Sequence, residues 1–189
     1  MGLNLITLQE YKTYSGINSP NEDATINSLI PKVSDFVKTY CNRTFIDWVS
    51  EPKTEVFSGG VAYLPQEFPI KSVLSLEYSQ DYGNNYTELV EYVDWVLNST
   101  GDIVLINGTG IFDTRPNSYR LTYFAGLDAV PGDLKLAVMD LLTYYRRNDS
   151  AIHSTKAAGS NSVQIEYIST TSLPAHIKRV LDLYVNNYN

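Results

Sequence analysis

The chain has one cysteine, Cys41, so it cannot close an internal disulfide and must be held by packing. Histidine is scarce as well. His153 and His176 are the only two, and neither has a cysteine, a second histidine or paired carboxylates at ligand spacing, which argues against a structural metal site. Long apolar runs are missing: nothing approaches the ~18 residues needed to span a bilayer, so no membrane partner is expected. Residues 1–12 lack a basic stretch followed by an apolar one, so no signal peptide is expected either. Positive charge is in short supply, with 14 Lys and Arg against 21 Asp and Glu and a net charge of −7. Proteins that grip nucleic acid carry a basic face, so the balance argues against phosphate-driven binding. Dinucleotide, Walker and nucleophile-elbow patterns are absent, and no cofactor is expected.

What is present suits a folded domain. The 189 residues are 43% hydrophobic, enough to bury roughly 70% of the unfolded surface without staples. Thr7-Leu8-Gln9-Glu10 reads as a capping box that opens a short helix to Ser15, ended by Gly16. Ser19-Pro20-Asn21-Glu22 reads as a second box. After it, Ile26, Leu29, Ile30, Val33, Phe36, Val37 and Tyr40 mark one helix face down to Cys41. Pro31 interrupts that pattern and predicts a bend, or a new helix starting near Ile30.

From Thr54 to Phe124 the period changes. Thr54–Ser58, Val61–Leu64, Ser72–Tyr78, Leu89–Leu97, Ile103–Ile106 and Ser118–Phe124 read as strands between Gly, Pro and Asn turns. Ser118–Phe124 runs into Gly126 and then into a helix opened by Pro131 and closed by Arg146 and Arg147. The polar stretch Asn148–Ser162 reads as a loop, and Val163–Ile168 as a short strand. A last helix follows Leu173-Pro174, with Ile177, Val180, Leu181, Tyr184, Val185 and Tyr188 at helical spacing. The expected fold is α+β: a helical bundle of about four helices (residues 1–50 and 127–189) with an inserted antiparallel β module (51–126).

Little of this carries chemistry. Asp102 and Asp113 lie in adjacent turns, and an acid–base pair there would make a small acidic hydrolase. Cys41 has Arg43 nearby but ends an apolar face, which favours a structural thiol over a nucleophile. The basic pairs Arg146-Arg147 and Lys178-Arg179 are either solvated helix charges or docking points for an acidic partner. Fifteen tyrosines suit either a core or an interface, since each joins a large apolar body to a polar tip.

Four pieces in order resemble the head–tail connector proteins of tailed phages, also called adaptor or head-completion proteins. They are Leu5–Lys12 with Gly16-Ile17; Ile30-Pro31 through Tyr40–Phe45; Tyr123–Gly126 with Val130–Lys135; and Gly159 to Tyr167 with Leu173-Pro174. Phe68–Val73 is similar to that family's approach to its strands. The resemblance implies a non-enzymatic virion protein that forms a ring, generally of twelve, between the capsid portal and the tail. It implies assembly in the host cytoplasm and a place in the virion neck. The implied partners are the portal protein, tail or stopper proteins and identical subunits, with genome DNA passing through the channel without specific binding. Ile177, Arg179, Tyr184 and Tyr188 are the implied portal or ring contacts. A stopper or tail-completion protein is the alternative within the neck.

Overall fold

A computed structural model describes residues 2–108, 110–146, 153–156, 163–166 and 173–186. In chain order the elements are α1 (Leu8–Ser15), α2 (Asp23–Cys41), β1 (Lys53–Phe57), β2 (Ile70–Tyr78), β3 (Thr87–Leu89), β4 (Trp95–Leu97) and β5 (Ile103–Leu105). They continue with β6 (Tyr119–Ala125), α3 (Gly132–Arg146), β7 (His153–Lys156), β8 (Val163–Glu166) and α4 (Ala175–Asp182). The expected class, four helices with an inserted antiparallel β module, is what the chain adopts. The described residues form two compact units: one within 1–42 and 130–186, the other within 43–129.

The helical unit begins where the capping pattern places it. The Glu10 amide donates to Thr7 Oγ1 (3.2 Å), and the Thr7 amide donates to Glu10 Oε2 (2.7 Å). Gly16 ends α1 at φ 68°. The second box does not form. Helix α2 starts at Asp23 with no side-chain cap, because the Glu22 carboxylate is taken by Arg146 (2.5 Å) and Ser19 Oγ accepts from the Asn21 amide instead. Pro31 starts no new helix: α2 is continuous from Asp23 to Cys41. Ile26, Ile30, Val33, Val37 and Cys41 form its buried stripe, and burial of that stripe compensates for the ladder bond that Pro31 cannot donate.

Helix α2 packs with α3 and α4. Helix α3 contributes Leu134, Ala137, Val138, Leu141 and Leu142, and α4 contributes Ile177 and Leu181. Polar ties cross the same unit: Leu5 amide to Ser34 Oγ (3.0 Å), Lys38 Nζ to the Leu3 carbonyl (2.7 Å) and Tyr11 OH with Thr143 Oγ1 (3.0 Å). Inside the stretch read as a loop, β7 forms instead and pairs antiparallel with β8, which lies within the expected strand Val163–Ile168, with His153 opposite Glu166.

The β unit is built on a four-stranded antiparallel sheet in the order β1-β6-β2-β3. Central β6 alternates strictly, with Tyr119, Leu121, Tyr123 and Ala125 buried. Two irregularities in the β2–β6 register, near Ile70–Ser72 and Val73–Ser75, mark bulges. A separate pair, β4–β5, brings Trp95 and Ile103 to the same core. Two strand expectations change. Val61–Leu64 forms only a bridge, Tyr63 to Ile103, because the Tyr63 ring stacks on Phe57 (3.5 Å between centroids). Leu89–Leu97 divides between two sheets at Tyr92, which sits at φ 63°.

The β unit closes where its incoming and outgoing segments meet. The Ala125 amide donates to the Trp48 carbonyl (2.9 Å), Leu127 to Phe45 (2.7 Å) and Gly126 to Pro69 (2.9 Å). At Gly126, φ is 110°, and an added Cβ would lie 2.5 Å from the Phe45 carbonyl oxygen. Gly126→Ala is therefore expected to destabilise the protein by at least about 2 kcal/mol, measured by urea unfolding. An alanine variant as stable as the parent would show that the crossing is not tight.

Candidate functional site

The C-terminal helix α4 and the turn after it carry three of the residues singled out from sequence, Ile177, Arg179 and Tyr184. Helical spacing divides them between two stripes. The inner stripe is Ile177, Leu181 and Tyr184. Ile177 is 1% exposed, and Tyr184 OH donates to Asp133 Oδ1 at the start of α3 (2.6 Å). The outer stripe is His176, Arg179 and Leu183. All three are exposed, and Leu183, at 77%, is the most exposed of the large apolar side chains described. Tyr188 lies outside the described residues. The structure therefore gathers Ile177 and Tyr184 on one side and leaves Arg179 on the other.

Leu183 was missed by sequence reading. The signal was available: it lies four residues after Arg179 on a helical wheel, whereas the apolar inner stripe drew attention to Tyr184.

The end of α4 is fixed. The helix stops at Asp182, short of Tyr188, as the Leu183 and Tyr184 amides turn back to the Val180 and Leu181 carbonyls. The Asn186 amide then donates to the Cys41 carbonyl (2.8 Å), so this part of the tail is docked on the end of α2. Cys41 itself is buried, with its thiol 3.7 Å from the Leu181 carbonyl. Of the basic pairs, Lys178 is bound to Asp182 (2.7 Å) and Arg146 to Glu22, while Arg147 lies outside the described residues. Among the described cations of these pairs, Arg179 is exposed and makes no ion pair.

In the β unit a polar cluster is buried in the sheet. Glu55 accepts from Tyr123 OH (2.6 Å), Tyr63 OH (2.6 Å) and Lys53 Nζ (2.8 Å). Glu67 accepts from the Thr44 amide (3.1 Å), and its own amide donates to Tyr123 OH (3.1 Å). Burial alone would raise the Glu55 carboxyl, but the bonds from Lys53, Tyr123 and Tyr63 overcome it and leave it below the ordinary value. Burial dominates at Glu67 and pushes it up. Both tyrosine hydroxyls are pushed far above their usual range, by burial first and by Glu55 second.

Asp102 and Asp113 do not make an acid–base pair. Asp102 is bound by Thr100 and Asn98 within its own turn. Asp113 pairs with Arg115 and Tyr78. Bonds from Thr100 lower the first and bonds from Arg115 lower the second, so each stays ionised and neither serves as a proton donor.

The described polar clusters are spent on internal bonding within each unit. The chain belongs to the head completion protein family, whose model matches residues 4–186. In solved structures it is similar to a chain from the neck of an empty gene transfer agent particle computed with C6 symmetry. That chain is 14% identical with a TM-score of 0.63, and the match covers 98% of this chain and 91% of the other. It is also similar to a chain from the neck of a native particle computed with C12 symmetry, 14% identical with a TM-score of 0.60, covering 100% and 97%. No curated protein matches it.

Glu55 and Glu67 make opposite predictions. A lowered carboxyl contributes stability above the usual carboxyl range and loses it as pH falls through its folded value. A raised one contributes at low pH and loses that share as pH rises through its folded value. Glu55→Gln is therefore expected to cost about 2–3 kcal/mol at neutral pH, with the penalty shrinking as pH falls below the usual carboxyl range. Glu67→Gln keeps an acceptor for Thr44 and removes a buried charge, so at neutral pH it is expected to cost under about 1 kcal/mol. Urea unfolding at neutral and at acid pH checks this, and equal penalties would refute the assignment.

Proposed function

We propose that the chain is a structural protein of the neck in a tailed-phage-like particle, where identical copies form a ring of twelve between the capsid portal and the tail and extend the DNA channel. The family match over residues 4–186 carries this reading, and the likeness to neck chains in particles computed with sixfold and twelvefold symmetry supports it. The protein assembles in the host cytoplasm and resides in the virion neck. Its work is recognition, not catalysis, and the local bonding of Asp102 and Asp113 fits that role. Ring closure needs head-to-tail contacts between unlike faces of neighbours, which a chain of two different units can offer. A net charge of −7 lets packaged DNA pass, because binding it would require neutralised phosphates.

In this reading α4 meets the portal. Arg179 and Leu183 supply the contact, Tyr188 extends it, and Ile177 and Tyr184 hold the helix in place from behind. Mass photometry of the protein, alone and mixed with its portal ring, tests the proposal. A ring-sized complex is expected in at least one of the two, and Arg179→Glu with Leu183→Ser is expected to weaken portal attachment at least about tenfold without lowering the melting temperature. A protein that stays monomeric and ignores the portal would overturn the ring reading in favour of a stopper. Ile177→Ala, by contrast, is expected to cost about 2–4 kcal/mol of stability. If it weakened portal attachment while leaving stability unchanged, the inner stripe would be the contact.

A further inference from the structure

The net charge of this chain comes from one stretch. Residues Ser72–Thr114 hold seven carboxylates and no lysine, arginine or histidine, while the remaining residues hold fourteen acids and fourteen Lys and Arg. The whole net charge of −7 therefore sits in this part of the β unit.

Within it lies an exposed apolar knob. Val90, Tyr92, Val93 and Ile106 are 57%, 76%, 60% and 50% exposed. They leave a single hydrogen-bonded knot centred on Asp94. The Asp94 carboxylate accepts from the Val90 amide (2.8 Å) and Asn107 Nδ2 (3.1 Å), and its carbonyl accepts from the Ile106 amide (2.9 Å). The Val90 carbonyl accepts from the Val93 and Asp94 amides, and the Tyr92 amide donates to Trp95. Tyr92 is held at φ 63°, a conformation a tyrosine rarely adopts. The backbone of the knob is thus tied by hydrogen bonds before anything binds, which lowers the ordering cost of an interface. An aromatic at the centre of an apolar cluster is the usual anchor of a protein–protein contact. Glu88 and Glu91 are exposed beside it.

We propose that this knob docks a protein other than the chain itself, one presenting an apolar socket rimmed by lysine and arginine. The acidic rim sets the sign of the partner's charge. A second copy does not supply it, because the rest of the chain is neutral and eight of its described lysines and arginines are already in ion pairs with its own carboxylates. Nucleic acid is disfavoured by like charge. The proposal rests on the neck reading, which supplies the neighbouring proteins.

Two double variants test it: Tyr92→Asn with Val93→Ser removes the knob, and Glu88→Lys with Glu91→Lys reverses the rim. Asparagine tolerates the left-handed backbone, so the knot survives. Binding of the purified ring to the purified portal protein, and separately to the purified tail-side neck protein, is measured at low and high salt. Each double variant is expected to lose at least about tenfold in affinity for one of the two partners, with unchanged melting temperature and ring assembly. Wild-type binding to that partner is expected to weaken as salt rises. The proposal is overturned if both variants bind both partners like the parent. It is also overturned if ring assembly is what fails, since a second copy then covers the knob, or if rim reversal changes only DNA binding. A chain that forms no ring and binds neither protein fails the neck reading itself, and this inference with it.

Discussion

The β unit depends on one close backbone crossing. An insertion between two stretches of a helical domain must begin and end at nearly the same place. Here the incoming segment Phe45–Trp48 and the outgoing segment Ala125–Leu127 meet through direct amide–carbonyl bonds. Gly126 makes that approach possible, because a side chain would strike the Phe45 carbonyl. The outgoing segment continues the central strand, β6, so the crossing also anchors the sheet order β1-β6-β2-β3. An assembly module on such a clamp keeps its surface features in fixed positions, as a rigid platform requires.

A second constraint is polar. Burying Glu55 beside Tyr63, Tyr123 and Lys53 gives up solvation that an apolar core would not have lost. The arrangement is tolerable because nearly every hydrogen-bonding site of the carboxylate is used. Such a cluster specifies a strand arrangement more sharply than apolar packing does. If β1 slipped by one residue, Glu55 would turn to the opposite face and lose its tyrosine partners. The energy goes into fold specificity, consistent with a protein whose task is to present surfaces.

The helices were the most legible part of the chain. The Thr7–Glu10 box, the stripe from Ile26 to Cys41 and the apolar face after Pro131 all lie where their spacing puts them, since helical order is written in neighbours three and four residues apart. The misreadings share a cause: a side-chain partner that the helix or strand repeat does not encode. Arg146 takes the carboxylate that would have capped α2. Phe57 stacks on Tyr63 and leaves Val61–Leu64 out of the sheet. The Asp94 knot folds Leu89–Leu97 into two strands. For α4, the repeat reaching Tyr188 matched a longer helix, but the turn at Leu183 and the docking of Asn186 on α2 end it early.

By itself, the sequence determined the class of the protein: an acidic α+β chain in which two helical stretches flank an antiparallel insertion. It did so because composition, caps and periodicity are local properties. Which side of α4 is free, with Arg179 and Leu183 outward and Ile177 inward, was decided by packing against α2 and α3. The gathering of Val90, Tyr92, Val93 and Ile106 into one exposed knob was likewise tertiary. Those side chains come together only through bonds to Asp94 that span up to thirteen residues of chain. A surface is defined by what the core leaves uncovered, and the core exists only after distant segments have met.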